Sequence, residues 1–164
     1  MQNTIRTTLA VLGLALGTVV PGEPQKPAPA LGGESAAAAL ESLMTARGRA
    51  EAVAEYRETI ATNERYHVSE TELNALGYRF LQGGRTSDAI AVFELNAEAF
   101  PRSWSVWDSL AVAHESGGAR DKALVHYARS VELNPASRSG LNGLSRLRGY
   151  ELDATRETRQ PLRF

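Results

Sequence analysis

The feature that most constrains this chain is a periodicity of 34 residues. Pro101 and Pro135 stand 34 apart, and so do Ala89 and Ala123, Phe93 and Tyr127, Leu76 and Leu110, and Leu73 and Trp107. Ser-Asp-Ala-Ile-Ala-Val-Phe at 87–93 aligns with Asp-Lys-Ala-Leu-Val-His-Tyr at 121–127. One coincidence at that step means little, whereas five pairs that keep their chemical class mark a repeated structural unit. Such a unit cannot bury its apolar face alone. Copies must stack, and about three or more are needed for stability.

The breakers define what each unit is made of. Gly48, Gly83-Gly84, Pro101, Gly117-Gly118 and Pro135 interrupt stretches of helical periodicity, and no strand signal of consequence follows Gly33. The spacing predicts helices over 35–47, 50–63, 69–82, 86–99, 103–116, 120–133 and 137–148. The fold class is therefore all-α, with about seven helices joined by short turns that make neighbours antiparallel. Ser69 followed by Glu72 has capping-box spacing.

Residue types fit the hairpin. Ala89 and Ala123 are small enough to let the second helix of each unit approach the first. Leu76 and Leu110 supply the apolar partner on the first helix, and Phe93 and Tyr127 fill the gap toward the next unit. Pro101 and Pro135 stop the second helix, since a proline inside it would cost about 3 kcal/mol or more. Gly77 costs about 1 kcal/mol of helix propensity against alanine, so another helix is expected to need the room.

These residues resemble the tetratricopeptide repeat and its W-x2-L-G-x2-Y…A-x3-F…P pattern. Leu73, Leu76, Gly77, Phe80, Ala89, Phe93 and Pro101 stand at the pattern's positions in one unit. Trp107, Leu110, Ala111, His114, Ala123, Tyr127 and Pro135 do so in the next. Leu73 replaces the usual aromatic, Ala111 the glycine and His114 the tyrosine. The resemblance implies a right-handed solenoid of helix-turn-helix units. Its clear repeats cover 70–103 and 104–137, with a degenerate pair at 35–63 and a capping helix at 137–148. In the degenerate pair, Ala52 and Tyr56 keep the A-x3-F spacing. The strings TELNALGYRFLQGGRTSDAIAVFELN and VWDSLAVAHESGGARDKALVHYARSVELNP are also similar to the repeat segment that follows serine β-lactamase-like hydrolase domains. No serine here is followed by lysine three residues later, so that family's Ser-x-x-Lys nucleophile motif is missing.

Composition bounds the rest. At 164 residues, 43% hydrophobic, the chain is long enough for one core. A net charge of −1 argues against a nucleic-acid binder, which needs a concentrated basic surface. Arginines gather after Arg138 but alternate with Glu151, Asp153 and Glu157, the pattern of a solvated surface. The absence of cysteine excludes disulfides, thiolate metal sites, thiol nucleophiles and a lipoprotein anchor. Arg6 followed by the apolar run Leu9 to Val20 fits a signal peptide or short membrane anchor at 1–20, too short to span as an ordinary helix. Residues 21–33 are a Pro/Gly-rich linker, 34–149 the helical domain and 150–164 a polar tail. Export to the periplasm or beyond is the expected location.

Candidate chemistry is sparse. His114 and His126 face one repeat from different helices, yet His114 occupies a core-type position, so a hydrogen-bonded core histidine is the reading. His67 falls in a turn. Gly83-Gly84 and Gly117-Gly118 are turn glycines. Glu51, Glu55 and Glu58 beside Arg47, Arg49 and Arg57 form a charged helix stripe. Trp107 is core, and Trp104 is exposed enough to serve as a binding anchor. No hydrolase elbow, phosphate loop or metalloprotease helix motif occurs, and no cofactor or metal is implied.

If the units stack as the resemblance implies, their first helices line a concave face. Asn74, Tyr78 and Leu81, then Asp108, Val112 and Glu115, then Asn142 and Arg146 would meet a partner there. Repeats that clamp a terminal carboxylate use several lysines and arginines in this row, and here only Arg146 is basic. The expected function is a non-enzymatic adaptor of the cell envelope that binds a protein or peptide through amide and apolar contacts. The alternative is an accessory module for a separately encoded serine β-lactamase-like hydrolase. Self-association through an exposed repeat end is compatible with either.

Overall fold

The computed structural model describes residues 33–157, with side chains as far as Gly149. It is 77% helical, an all-α helical-repeat fold. The helices are α1 (Ala36–Arg47), α2 (Arg49–Glu55), α3 (Glu70–Gln82), α4 (Thr86–Ala99), α5 (Trp104–Ser116), α6 (Arg120–Leu133) and α7 (Arg138–Glu157). The proposed leader and most of the linker lie outside the described residues.

Helix starts follow the side chains that can cap them. Ser35 precedes α1 and its Oγ accepts from the Ala38 N–H at 3.2 Å. Ser69 does the same for the Glu72 N–H at 3.4 Å. The reciprocal half of the expected capping box is absent, because Glu72 turns outward and accepts a 2.6 Å hydrogen bond from Ser35 instead. A local cap is thereby exchanged for a bond between the starts of α1 and α3. Gly84 and Gly118, 34 apart, both carry positive φ, +73° and +76°, which is why the hairpin turns place glycine there.

Two segments depart from expectation. α2 runs into a π-helical stretch, Tyr56–Ile60, whose wider winding places both Tyr56 and Ile60 in the core, 2% and 3% exposed. The helix predicted over 50–63 therefore ends earlier and in a different winding. α7 continues to Glu157, past the 148 expected for a capping helix and into the stretch read as polar tail. Gly149 alone does not stop it, since a single helical glycine costs only about 1 kcal/mol, and the next proline is Pro161. One pairing was not signalled: β1 (Glu34–Ser35) lies parallel to β2 (Tyr66–His67), with His67 opposite Ser35. It fastens the start of α1 to the chain entering α3.

Packing is in two layers. The first helices α1, α3 and α5 meet one another in turn, each second helix packs on its own first helix, and α4 also packs on α5. The larger core runs from Leu40 and Met44 through Leu73, Leu76, Val92 and Phe93 to Leu110. A smaller cluster of Ala111, Ala123, Tyr127 and Leu147 joins α5, α6 and α7. Ala89 and Ala123 are fully buried, as close helix contacts require. Gly77 is where expected: a Cβ there would fall 2.5 Å from the Phe93 ring. Gly143 on α7 plays the same part for Tyr127, also at 2.5 Å.

Candidate functional site

The row of first-helix residues divides into a sealed part and an open part. The Tyr78 hydroxyl donates to Ser109 Oγ at 3.2 Å, and its ring meets Phe93 edge-on at 5.2 Å. Arg146 donates to Glu115 twice, at 2.9 and 2.6 Å, and the Tyr127 hydroxyl donates at 2.8 Å. The Arg146 hydrogen bond, aided by that of Tyr127, holds the Glu115 carboxyl below its ordinary range. Burial, then the Glu115 bond, pushes the Tyr127 phenol up. Both cross-links span 31 residues, Tyr78 to Ser109 and Glu115 to Arg146. They stitch α3 to α5 and α5 to α7.

Asp108 is sealed more completely, at 8% exposure. Burial pushes its carboxyl up, while the hydroxyls of Ser139 and Ser130 beside it act the other way. Its Oδ1 has no hydrogen bond of good geometry among the described residues, nor does the Ser130 hydroxyl. Asp108 thus faces its neighbouring helices rather than a partner. The open part of the row is half-buried Leu81 and Val112 with exposed Asn142, while half-buried Asn74 has its Oδ1 sealed in without a hydrogen-bond partner among the described residues. The open groups are hydrocarbon and one amide.

Two grooves on the opposite layer are lined entirely by described residues. The first, about 340 Å³, lies between the π-helical stretch and α4 and is lined by Tyr56, Arg57, Ala61, Val68, Leu95, Glu98, Ala99 and Phe100. Arg57 crosses it and forks onto Glu98 at 2.6 and 3.0 Å. Burial and the nearby Glu98 charge push the Tyr56 phenol up to about 12. The second groove, about 380 Å³, lies between α4, α5 and α6 and is lined by Glu94, Ala97, Glu98, Pro101, Trp107, Leu110 and His126.

Trp107 opens the second groove onto an aromatic stack. Its indole N–H donates to the Pro101 carbonyl at 2.9 Å. Its ring stacks on His126 at 5.7 Å, and His126 stacks on His114 at 5.2 Å. Trp107 is half-buried rather than core, and Trp104 is 40% exposed. His114 is buried as expected, but its Nδ1 has no hydrogen-bond partner among the described residues, so the reading of a hydrogen-bonded histidine needs correction. Burial lowers both imidazoles, His126 to about 4, with further lowering from His114 and Lys122; Lys122 also lowers His114, while Glu94 raises it. Among the described residues no group of three or more His, Asp or Glu is placed to hold a metal.

Some residues gave no individual warning. Asn96 is fully buried and donates to the Glu70 carbonyl at 3.1 Å, tying α4 to the start of α3. Of the charged stripe that runs from the end of α1 into the π-helical stretch, Arg47 stays local with Glu51 and Glu55, whereas Arg49 reaches Asp88 and Arg57 reaches Glu98 on α4. The aromatic stack was half-visible. His114, His126 and Trp107 sit 34 residues after Phe80, Val92 and Leu73, and reading the three substitutions together would have pointed to one place.

No family model matches the chain. A stretch of 61 residues, 37% of the chain, is 34% identical to Superkiller complex protein 3 of Homo sapiens, a protein with tetratricopeptide repeats. The chain spans 4% of that relative's length. With the seven packed helices, this weak similarity agrees with helical repeats of the tetratricopeptide kind.

Proposed function

We propose that the chain is a non-enzymatic adaptor whose first-helix face binds an uncharged, extended segment of a protein partner in the cell envelope. One observation carries the reading: the charged and hydroxyl groups of that face are spent on each other. Glu115 is matched by Arg146, Tyr78 by Ser109, and Asp108 is buried. What remains for a partner is hydrocarbon from Leu81 and Val112 and the amide of Asn142. Such a surface suits backbone amides and apolar side chains and offers little to a terminal carboxylate. Repeat similarity supports protein partners in general, and scaffolds of this kind serve many of them. The envelope location rests on Arg6 and the apolar run from Leu9 to Val20.

The test is a pull-down from envelope extract with the full chain, beside a variant carrying Leu81→Ser, Val112→Ser and Asn142→Ala. Loss of the captured partner from the variant, with helicity unchanged by circular dichroism, is the expected result. Equal capture moves the site off this face. Recovery of a β-lactamase-like hydrolase as the dominant partner favours the accessory-module alternative. Cell fractionation tests the location independently.

A further inference from the structure

The two clear repeats differ at three matched positions that meet in space. Leu73, Phe80 and Val92 fill the first unit with hydrocarbon, 0%, 4% and 0% exposed. At the same positions the second unit has Trp107, His114 and His126, stacked in a row. The first unit shows that the hairpin packs without any nitrogen there. The second exposes part of this π-stack to the groove between α4 and α6, on the layer opposite the proposed adaptor face.

The grooves differ in how their acids are matched. In the first, the chain supplies its own guanidinium, Arg57 on Glu98. With Ala52 and Tyr56 matched to Ala89 and Phe93, Glu94 stands where Arg57 stood. Glu94, on the rim of the second groove, is exposed and makes no ion pair among the described residues, although its charge reaches Arg57 and raises that guanidinium. The first unit also shows the chemistry in miniature. Arg85 lies over the Phe80 ring at 4.2 Å, while pairing with Asp88. At the matching position of the second unit is Ala119.

We infer that the second groove is a docking site for an arginine side chain of a protein partner. Trp107, with His126 stacked behind it, receives the guanidinium plane. Glu94 supplies the opposing charge, and Ala97, Pro101 and Leu110 receive the aliphatic stem. Burial keeps both imidazoles neutral near pH 7, so the stack offers no competing charge. Glu98 is already matched by Arg57, which leaves Glu94 as the determinant. Lys122, whose field reaches both imidazoles, works against the cation.

The probe is the peptide acetyl-Leu-Arg-Leu-Arg-Ala-amide, titrated into the full chain while the two indole N–H signals are followed by NMR. The control replaces arginine with citrulline, which keeps shape and removes charge. Saturable movement of the Trp107 signal by the arginine peptide is expected, with the citrulline peptide at least about 3-fold weaker. Glu94→Gln should weaken binding about 3-fold, and Lys122→Gln should strengthen it. Trp107→Leu, which restores the residue of the first unit, should abolish binding, read from the backbone amide signals of Glu94 and His126, with helicity retained. Asn142→Ala on the other layer should leave binding unchanged, so this site and the adaptor face stand or fall separately. Equal binding of the two peptides, or no effect of Glu94→Gln, would overturn the inference.

Discussion

The repeats at 70–103 and 104–137 carry one backbone plan with two fillings. In the first, Phe93 lies on Gly77, and Leu73, Phe80 and Val92 are buried hydrocarbon. In the second, Ala111 replaces that glycine, and Trp107, His126 and His114 stack in the matching space. Both hairpins end at a proline and turn on a positive-φ glycine. The comparison teaches that the hairpin demands small residues at the helix crossing and adequate volume beside it. Chemistry beyond volume is surplus to folding, and it collects in the second unit.

The largest effect should come from the demand the units share. Ala89 is fully buried where α4 meets α3, within the larger core. Ala89→Glu forces a carboxylate without a partner into that contact, at a cost of several kcal/mol. Domain stabilities run only about 5–15 kcal/mol, so loss of the cooperative melt by circular dichroism is expected. Ala123→Glu makes the same insult in the smaller cluster with Ala111, Tyr127 and Leu147. It should leave α1–α4 folded and melt as a reduced transition. An unchanged melting curve for Ala89→Glu would mean that the two units have been aligned in the wrong register.

A second pair reverses an exchange that the units already made. Gly77→Ala would place a methyl 2.5 Å from the buried Phe93 ring. Overpacking costs about 1–3 kcal/mol, offset by about 1 kcal/mol of helix propensity, so a net loss of up to about 2 kcal/mol is expected. Ala111→Gly removes a methyl that the second unit accommodates, losing about 1 kcal/mol of propensity plus its burial. Opposite substitutions should thus both destabilise in denaturant titrations. A stabilised Gly77→Ala would show that Phe93 swings aside and that the two fillings are interchangeable.

Positions with a fixed steric demand were legible in the sequence, because the same demand recurs at each step. Ala89 with Ala123, Leu76 with Leu110 and the stop prolines announced the hairpins, and α4 and α6 have the bounds the spacing predicted. Gly77 was legible for a different reason, since a glycine inside a helix costs propensity unless a neighbour needs the room. The π-helical stretch and the β1–β2 pairing depend on contacts distant in the chain, so no local pattern announced them. The candidate face was legible as a row but not as a surface. Whether Glu115 and Tyr78 are available to a partner depends on Arg146 and Ser109, each 31 residues on. That offset becomes meaningful only when neighbouring first helices are known to touch.

Acid should separate the fillings by a smaller amount. Burial lowers the His126 imidazole to about 4, from about 6.5 in an unfolded chain. A group whose folded value is depressed contributes its stability above about pH 6.5 and loses it as pH falls toward 4. His126 is part-exposed, so solvent screening reduces the effect to about 1–2 kcal/mol. His114 shifts in the same direction, with Lys122 adding to the lowering and Glu94 on α4 opposing it. Glu115, lowered by Arg146, adds loss at the acid end of the range, while Asp108, raised by burial, works the other way. His126→Val installs the residue found at Val92 and should flatten the stability profile between pH 6.5 and 4. An unchanged slope would assign the acid sensitivity to carboxylates that do not distinguish the fillings.

The smallest effect concerns the bridge across the first groove. Arg57 and Glu98 form a fork at 2.6 and 3.0 Å, but their side chains are 47% and 52% exposed. Water screens a pair so exposed, and two long side chains lose freedom in making it. A double-mutant cycle with Arg57→Gln and Glu98→Gln should therefore give a coupling below about 1 kcal/mol, falling further in 1 M salt where the Debye length is about 3 Å. Bidentate geometry sets the upper part of that range rather than lifting it. The small value matters because, among the described residues, the second groove adds no bridge of its own beyond Glu98, which it shares with the first. A coupling above about 2 kcal/mol would make the bridge a structural strut. The lack of a chain-supplied arginine at the second groove would then mark a weak point in the solenoid instead of a place kept open.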